Sequence, residues 1–147
     1  MKDDTLNALD TMFRESPVMR AGTATPEEVD QLESSIGFRL SDDYREFVEK
    51  FAGAIVGPFS VYGVKASDAM GDDESSAIEV TNRFRADGWT GTTDWLVISM
   101  DHSGNPVGLD ADGKVWISDH DAGAIQELAP SFEDYLRRWC LKLDPVS

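Results

Sequence analysis

Apolar side chains recur with helical spacing in five parts of the chain. The clearest stripe is formed by Tyr44, Phe47, Val48 and Phe51, which occupy positions i, i+3, i+4 and i+7 and therefore share one helical face. Shorter stripes of the same period occur before and after it. The pattern predicts helices over residues 5–15, 25–36, 41–52, 76–87 and 131–140.

Two of these segments begin with helix-capping sequences. Thr25 is followed by Pro26, which suits the first helical position, and by Glu28, which completes a capping box. Ser76 and Glu79 have the same spacing. Both starts are therefore predicted at the capping residue.

Strand-forming residues dominate from residue 95 onward. Asp112-Gly113 lies between two short apolar runs and is the strongest hairpin signal in the chain. An uncharged run over residues 51–64 is broken by Gly and Pro and is shorter than the ~20 residues of a membrane-spanning helix, so we interpret it as core or buried loop. The predicted strands are 59–64, 95–100, 107–110 and 114–118.

The order of these elements indicates the fold class. Helices are grouped at the front and the later strands are joined by tight turns, which favours an α+β fold over an alternating parallel one. We expect a mainly antiparallel sheet with helices packed on it. The prediction is a single domain over residues 1–147, in which residues 1–22 form an N-terminal helix and linker arm.

The chain is strongly acidic, with 28 acidic and 13 basic side chains and a formal net charge of -15. This charge disfavours nucleic acid and anionic membrane surfaces as direct partners, because binding to phosphates relies on Lys and Arg. Residues 66–121 carry 12 acidic and three basic side chains and hold most of the excess. A basic protein is the partner that this distribution would attract.

The acidic residues of this middle region are predicted to form one negative surface, with Trp89 and Trp116 as candidate aromatic anchors. An equally open interpretation is that the acidic residues only keep the protein soluble. The candidate acids are Asp68, Asp72, Asp73, Glu74, Asp101, Asp110, Asp112, Asp119 and Asp121.

Catalytic and metal-binding patterns are weak. His102 and His120 each lie next to an aspartate, but two histidines without a third strong ligand make a poor zinc set, and the acidic turns lack calcium-loop spacing. Cys140 is interpreted as a structural cysteine rather than an activated thiol. We therefore expect no cofactor, no metal and no enzymatic activity. A single cysteine and a start without a signal-peptide pattern predict a cytoplasmic protein.

Two segments resemble the SUKH superfamily, the family of the yeast cell-wall assembly regulator and many bacterial proteins. In the first half the matching positions include Ile36-Gly37, Leu40 and Asp43-Tyr44. In the second half the order of strands, turns and final helix matches at Asp101, Gly104, Leu109, Asp110, Val115, Asp119, His120, Phe132 and Leu136. The resemblance covers residues 24–140, and Asn105 stands where the family usually has Asp.

This resemblance implies a non-enzymatic α+β domain that binds another protein. Bacterial members of the family are widely regarded as immunity proteins that neutralise a cognate toxin, often a nuclease, by covering its active site. The corresponding expectation is a basic toxin domain bound at the acidic surface. The alternative is a regulatory or scaffold adaptor that binds a housekeeping protein. The oligomeric state is left open by the sequence.

Overall fold

The computed structural model describes residues 1–71 and 75–144, and these residues contain five α-helices and six strands. The helices are α1 Asp3–Glu15, α2 Pro26–Ile36, α3 Asp42–Phe51, α4 Ala77–Ala86 and α5 Phe132–Tyr135. The strands are β1 Ala54–Val56, β2 Phe59–Val61, β3 Leu96–Met100, β4 Pro106–Leu109, β5 Val115–Asp119 and β6 Ala124–Ala129.

The helix starts follow the predicted capping signals. The Thr25 hydroxyl accepts a hydrogen bond from the Glu28 backbone N–H, and the Glu28 carboxylate accepts one from the Thr25 N–H, so the capping box is complete. Ser76 caps α4 and Ser131 caps α5 in the same manner, each accepting a backbone N–H three residues later. The starts predicted at Thr25 and Ser76 are confirmed.

The strands form one antiparallel sheet in chain order, β1-β2-β3-β4-β5-β6. This arrangement confirms the predicted α+β class with a mainly antiparallel sheet. The Asp112-Gly113 turn joins β4 to β5, as its hairpin signal indicates. Because each strand reverses the direction of the one before it, successive turns lie at alternate ends of the sheet.

Two strands are absent from the sequence prediction. β1 has only three residues and lies in the segment interpreted as buried loop. β6 carries exposed side chains at residues 124–127, so it lacks the alternation of buried and exposed positions from which a strand is predicted. Strand β2 is also shorter than predicted, because the backbone N–H groups of Val64 and Lys65 both bind the Ala52 carbonyl and the chain turns away from the sheet.

The end of the last predicted helix is also different. α5 stops at Tyr135, and residues 136–140 form a π-helical turn in which the Leu141 N–H binds the carbonyl of Leu136, five residues back. A π turn is wider than an α turn, so it changes the face on which later side chains lie. In a regular α-helix over residues 131–140, Trp139 would share the buried face of Phe132, seven residues earlier, but in the structure Trp139 is 38% exposed.

One hydrophobic core joins the N-terminal helix to the rest of the molecule. Leu9 and Phe13 of α1 are buried in the same cluster as the apolar faces of α3 and α5. The Phe13 and Phe51 rings pack with centroids 5.0 Å apart, and the Phe47 and Phe132 rings with centroids 5.3 Å apart. The division of the chain into an arm and a core stays a prediction. Within the described ranges, the helices are too short or too polar to cross a membrane.

The two edges of the sheet have different surroundings. At β1, Arg20 forms an antiparallel bridge with Ala54, and the Ala21 N–H binds the Gly53 carbonyl, so the segment after α1 covers this edge. At β6, the four residues 124–127 are exposed. Only one edge of the sheet is therefore covered by the part of the chain that the structure describes.

Candidate protein-binding surface

The predicted acidic surface is divided between two ends of the sheet. The β3–β4 turn, with Asp101, and the β5–β6 turn, with Asp119 and Asp121, lie at one end, which we call the acidic end. The β4–β5 turn, with Asp110 and Asp112, lies at the other. The alternation of turns in an antiparallel meander is the physical reason. A single partner therefore meets the first group more readily than both groups together.

Asp101 organises the β3–β4 turn at the acidic end. Its Oδ1 accepts the backbone N–H groups of Ser103 and Asn105 at 2.9 and 2.8 Å, respectively. Its Oδ2 accepts the Asn105 side-chain amide at 2.9 Å. Asp101 is therefore first a turn residue, and its charge is partly used inside the protein.

Asn105 connects the two turns of the acidic end. Besides its bond to Asp101, its side-chain oxygen accepts the backbone N–H of His120 at 3.2 Å. Asp119 in turn accepts the N–H groups of Asp121 and Ala122 at 3.0 and 3.3 Å. These bonds hold the two turns in a fixed relation. The sequence marked Asn105 only as a departure from the family pattern and did not indicate this connecting role.

Trp89 lies at the acidic end, as one wall of a cleft of about 320 Å³ that Asp87, Asp119 and His120 also line. The indole is partly buried and packs edge-on against Phe84 and His120, with ring centroids 5.4 and 5.5 Å apart. Trp89 thus lies beside Asp87 and Asp119, and the carboxylate of Asp121 lies 3.5 Å from Nε2 of the His120 ring that packs on the indole.

Trp116 lies with the other group of acids. Its indole N–H donates to Asp110 Oδ2 at 2.8 Å, while Asp110 Oδ1 accepts the N–H groups of Asp112 and Lys114, both at 2.9 Å. Asp112 borders a shallow pocket that Arg39 also lines. A cation beside this turn reduces its negative potential, and the indole is already engaged, so the second end is the weaker candidate for a basic partner.

Asp68 is exposed in the connection between β2 and α4. Asp72, Asp73 and Glu74 lie outside the described residues.

A groove beside the acidic end was not predicted. Val107, Ile117 and Tyr135 line it together with Trp139, and Asp101 and Asp119 border it, enclosing about 220 Å³. The Trp139 indole N–H donates to the Leu128 carbonyl of β6 at 3.2 Å, which holds the ring against the sheet. No sequence motif marks this groove, because the π turn that exposes Trp139 is not visible in the apolar spacing.

Two of the candidate catalytic residues, His102 and Cys140, make contacts that are typical of structural residues. His102 Nε2 lies 3.0 Å from the Pro58 carbonyl, and the ring stacks on Phe59 with centroids 5.0 Å apart. Cys140 is 3% exposed, and burial raises the pKa of its thiol to about 12. Within residues 1–71 and 75–144, no three His, Cys, Asp or Glu side chains are grouped so as to hold a metal ion.

Comparison with known proteins gives one result that covers most of the chain. The sequence profile of the SMI1 / KNR4 family (SUKH-1) matches residues 23–138. A search of curated proteins finds no match.

Proposed function

The chain belongs to the SMI1 / KNR4 family (SUKH-1), and from this premise we propose that it is an immunity-type protein that neutralises a toxin by binding it directly. The partner in this proposal is a toxin domain with a basic surface, such as a nuclease, and the binding site is the acidic end. Binding takes place in the cytoplasm, where the protein would meet an incoming or newly made toxin.

The observation that carries the proposal is the concentration of carboxylates around Trp89. Asp87 and Asp119 line one cleft together with Trp89, and Asp121 lies 3.5 Å from the His120 ring that packs on the indole. A cluster of carboxylates accelerates the encounter with a basic protein, and an aromatic side chain in the centre of an interface slows dissociation. The hydrogen bonds of Asn105 make both turns rigid before binding, which lowers the entropy lost on association.

We propose binding rather than catalysis as the role of this surface. His102 is engaged by a carbonyl and a phenyl ring, and Cys140 keeps its proton at neutral pH because burial raises its pKa. His120 is the exposed exception, and it is paired with Asp121. His120→Ala is expected to leave the protein folded. If this variant abolished a chemical activity of the native protein, the non-enzymatic part of the proposal would be wrong.

The test begins with capture of partners from the lysate of the native cell at low and high salt, with identification by mass spectrometry. We expect a basic protein whose capture weakens at high salt, because exposed charges are screened. The captured protein is then expressed in a sensitive host with and without this chain. Killing by the partner alone, and survival on co-expression, are the expected results.

A variant that lacks one carboxylate tests whether the acidic end is the binding surface. Asp121→Asn removes one exposed carboxylate without removing a turn acceptor, and Asp10→Asn on α1 is the matched control. We expect the association rate with the captured partner to fall several-fold for the first variant and to stay unchanged for the second. Equal rates for both variants would exclude the acidic end. Capture of housekeeping proteins alone would favour the adaptor instead.

A further inference from the structure

Strand β6 leaves an edge of the sheet uncovered. It is the last strand in the sheet order, and its residues 124–127 are exposed, so no segment of the described chain pairs with its outer side. An open edge presents backbone N–H and C=O groups that another extended chain can bind. The β1 edge, by contrast, already has Arg20 as its neighbour.

Exposed apolar side chains gather at the same edge. The large hydrophobic residues exposed in the described chain are Val18, Ile125 and Trp139. Ile125 belongs to β6, and Trp139 is bound to the β6 carbonyl of Leu128. Two of the three therefore flank this strand, although solvent exposure of such side chains is unfavourable unless another surface covers them.

The two faces of β6 offer different chemistry. Gln126, opposite Ile117, borders the apolar groove of Trp139, whereas Glu127 is opposite Trp116 and lies on the other face. The cleft of Asp87 and Trp89 also adjoins that other face, through Ser118 and Gly123. An added strand places alternate side chains on opposite faces, so one set would meet the apolar groove and the other set would meet Ile125 and the carboxylates.

We propose that β6 binds an extended segment of the partner protein as a seventh strand, with apolar residues alternating with Lys or Arg. One apolar side chain of the segment enters the groove beside Trp139, whose volume of about 220 Å³ accommodates a single large side chain. The basic residues face Asp87 and also Glu127, whose carboxylate lies 3.8 Å from Lys114 Nζ, so an incoming cation would compete with Lys114 there. This proposal rests on the proposed function only in requiring that the partner is a protein.

Charge favours such a partner over a second copy of this chain. Pairing β6 with β6 would bring together two molecules that each carry a net charge of -15. In each copy, Asp119 at the end of β5 and Asp121 in the following turn lie next to the start of β6. Like charges across an interface oppose association. A basic segment instead gains from the same groups.

The experiment uses a synthetic peptide, acetyl-Lys-Val-Lys-Leu-Lys-Val-Lys-amide, with the full chain labelled with ¹⁵N. Amide shifts report where the peptide binds. Two further peptides have the same side chains but carry N-methyl groups, one on the Lys amides and one on the Val and Leu amides. Only one alternate set of amides faces the edge in an added strand, so we expect one N-methyl pattern to lose at least about tenfold in affinity and the other to bind normally.

Protein variants add a second test. Trp139→Ala removes one wall of the groove, and we expect it to weaken the unmodified peptide about tenfold. Val18→Ala is the matched control, because Val18 is 50% exposed and lies on the segment that covers the opposite edge. We expect the control to bind the peptide as the parent does. Circular dichroism of both variants establishes that the fold is intact.

Four outcomes would overturn the inference. The first is no binding of the peptide up to about 1 mM. The second is equal binding of both N-methylated peptides with shifts confined to residues 101–105 and 120–123, which would leave the acidic end, and hence the proposed function, in place. The third is unchanged binding by Trp139→Ala. The fourth is a concentration-dependent dimer with the β6 amides at its interface, which would make a second copy the occupant.

Discussion

The two edges of the sheet differ in whether another segment of the chain covers them. At β1, the segment after α1 pairs with the strand, and the turn before β2 packs on the backbone of Cys140. At β6, the backbone and the Ile125 side chain face solvent, and the neighbouring Trp139 is half-exposed. The covered edge contributes contacts to folding, whereas the open edge is the strand at which we propose that a partner binds. Four predictions test this contrast.

The largest difference in the free energy of unfolding is expected between removal of a buried aromatic ring, Phe13, and removal of the partly exposed ring of Trp139. Phe13→Ala removes a buried ring that packs on Phe51, and should reduce the free energy of unfolding by about 3–5 kcal/mol. Trp139→Ala removes a partly exposed ring and one hydrogen bond, and should cost about 1–2 kcal/mol. Urea denaturation measures both. Equal losses would mean that Trp139 belongs to the stabilising core.

The reactivity of the Cys140 thiol measures how readily the covered side of the sheet opens. Burial raises its pKa from 9.0 to about 12, so at pH 8 the folded protein has about a thousandfold less thiolate than the unfolded chain. Alkylation by iodoacetamide should be slower by at least this factor in the native protein. A native rate within about tenfold of that in urea would show that the β1–β2 turn opens readily. The raised pKa also means that stability falls as the pH rises above 9, because unfolding then allows ionisation.

Two turn glycines provide a matched pair. Gly57, before β2, and Gly123, before β6, have φ angles of +60° and +63°. An added Cβ costs about 1 kcal/mol in this conformation at either site. At Gly57, however, it would also overlap the Cys140 carbonyl oxygen, whereas at Gly123 nothing lies within 4 Å. Gly57→Ala should therefore cost at least about 2 kcal/mol and Gly123→Ala about 1 kcal/mol. Similar losses in thermal or urea unfolding would contradict the difference in packing.

The last pair, which includes the smallest expected effect, concerns two residues of the acidic end. Asp101→Ala removes the acceptor of three hydrogen bonds and should cost about 1–3 kcal/mol of unfolding free energy. Asp121→Ala removes an exposed carboxylate and should change stability by less than about 0.5 kcal/mol. The pair separates acids that build the turns from acids that remain available to a partner. A large loss for Asp121→Ala would place it in the first class.

The sequence alone determined much of the fold, because the relevant signals are local. The capping box at Thr25, the apolar stripe of α3 and the Asp112-Gly113 turn depend on residues only a few positions apart, and the structure contains each element. The acidic charge and the family pattern are likewise readable without coordinates. The two edge strands escaped prediction because β1 has only three residues and the first four residues of β6 are all exposed.

The placement of the candidate site was decided by tertiary structure. The order of the strands assigns Asp101 and Asp119 to one end and Asp110 to the other, although all three lie in similar sequence contexts. The π turn exposes Trp139 and forms the groove beside β6. These features depend on which distant segments meet, and the spacing of apolar residues within one segment carries no information about such contacts.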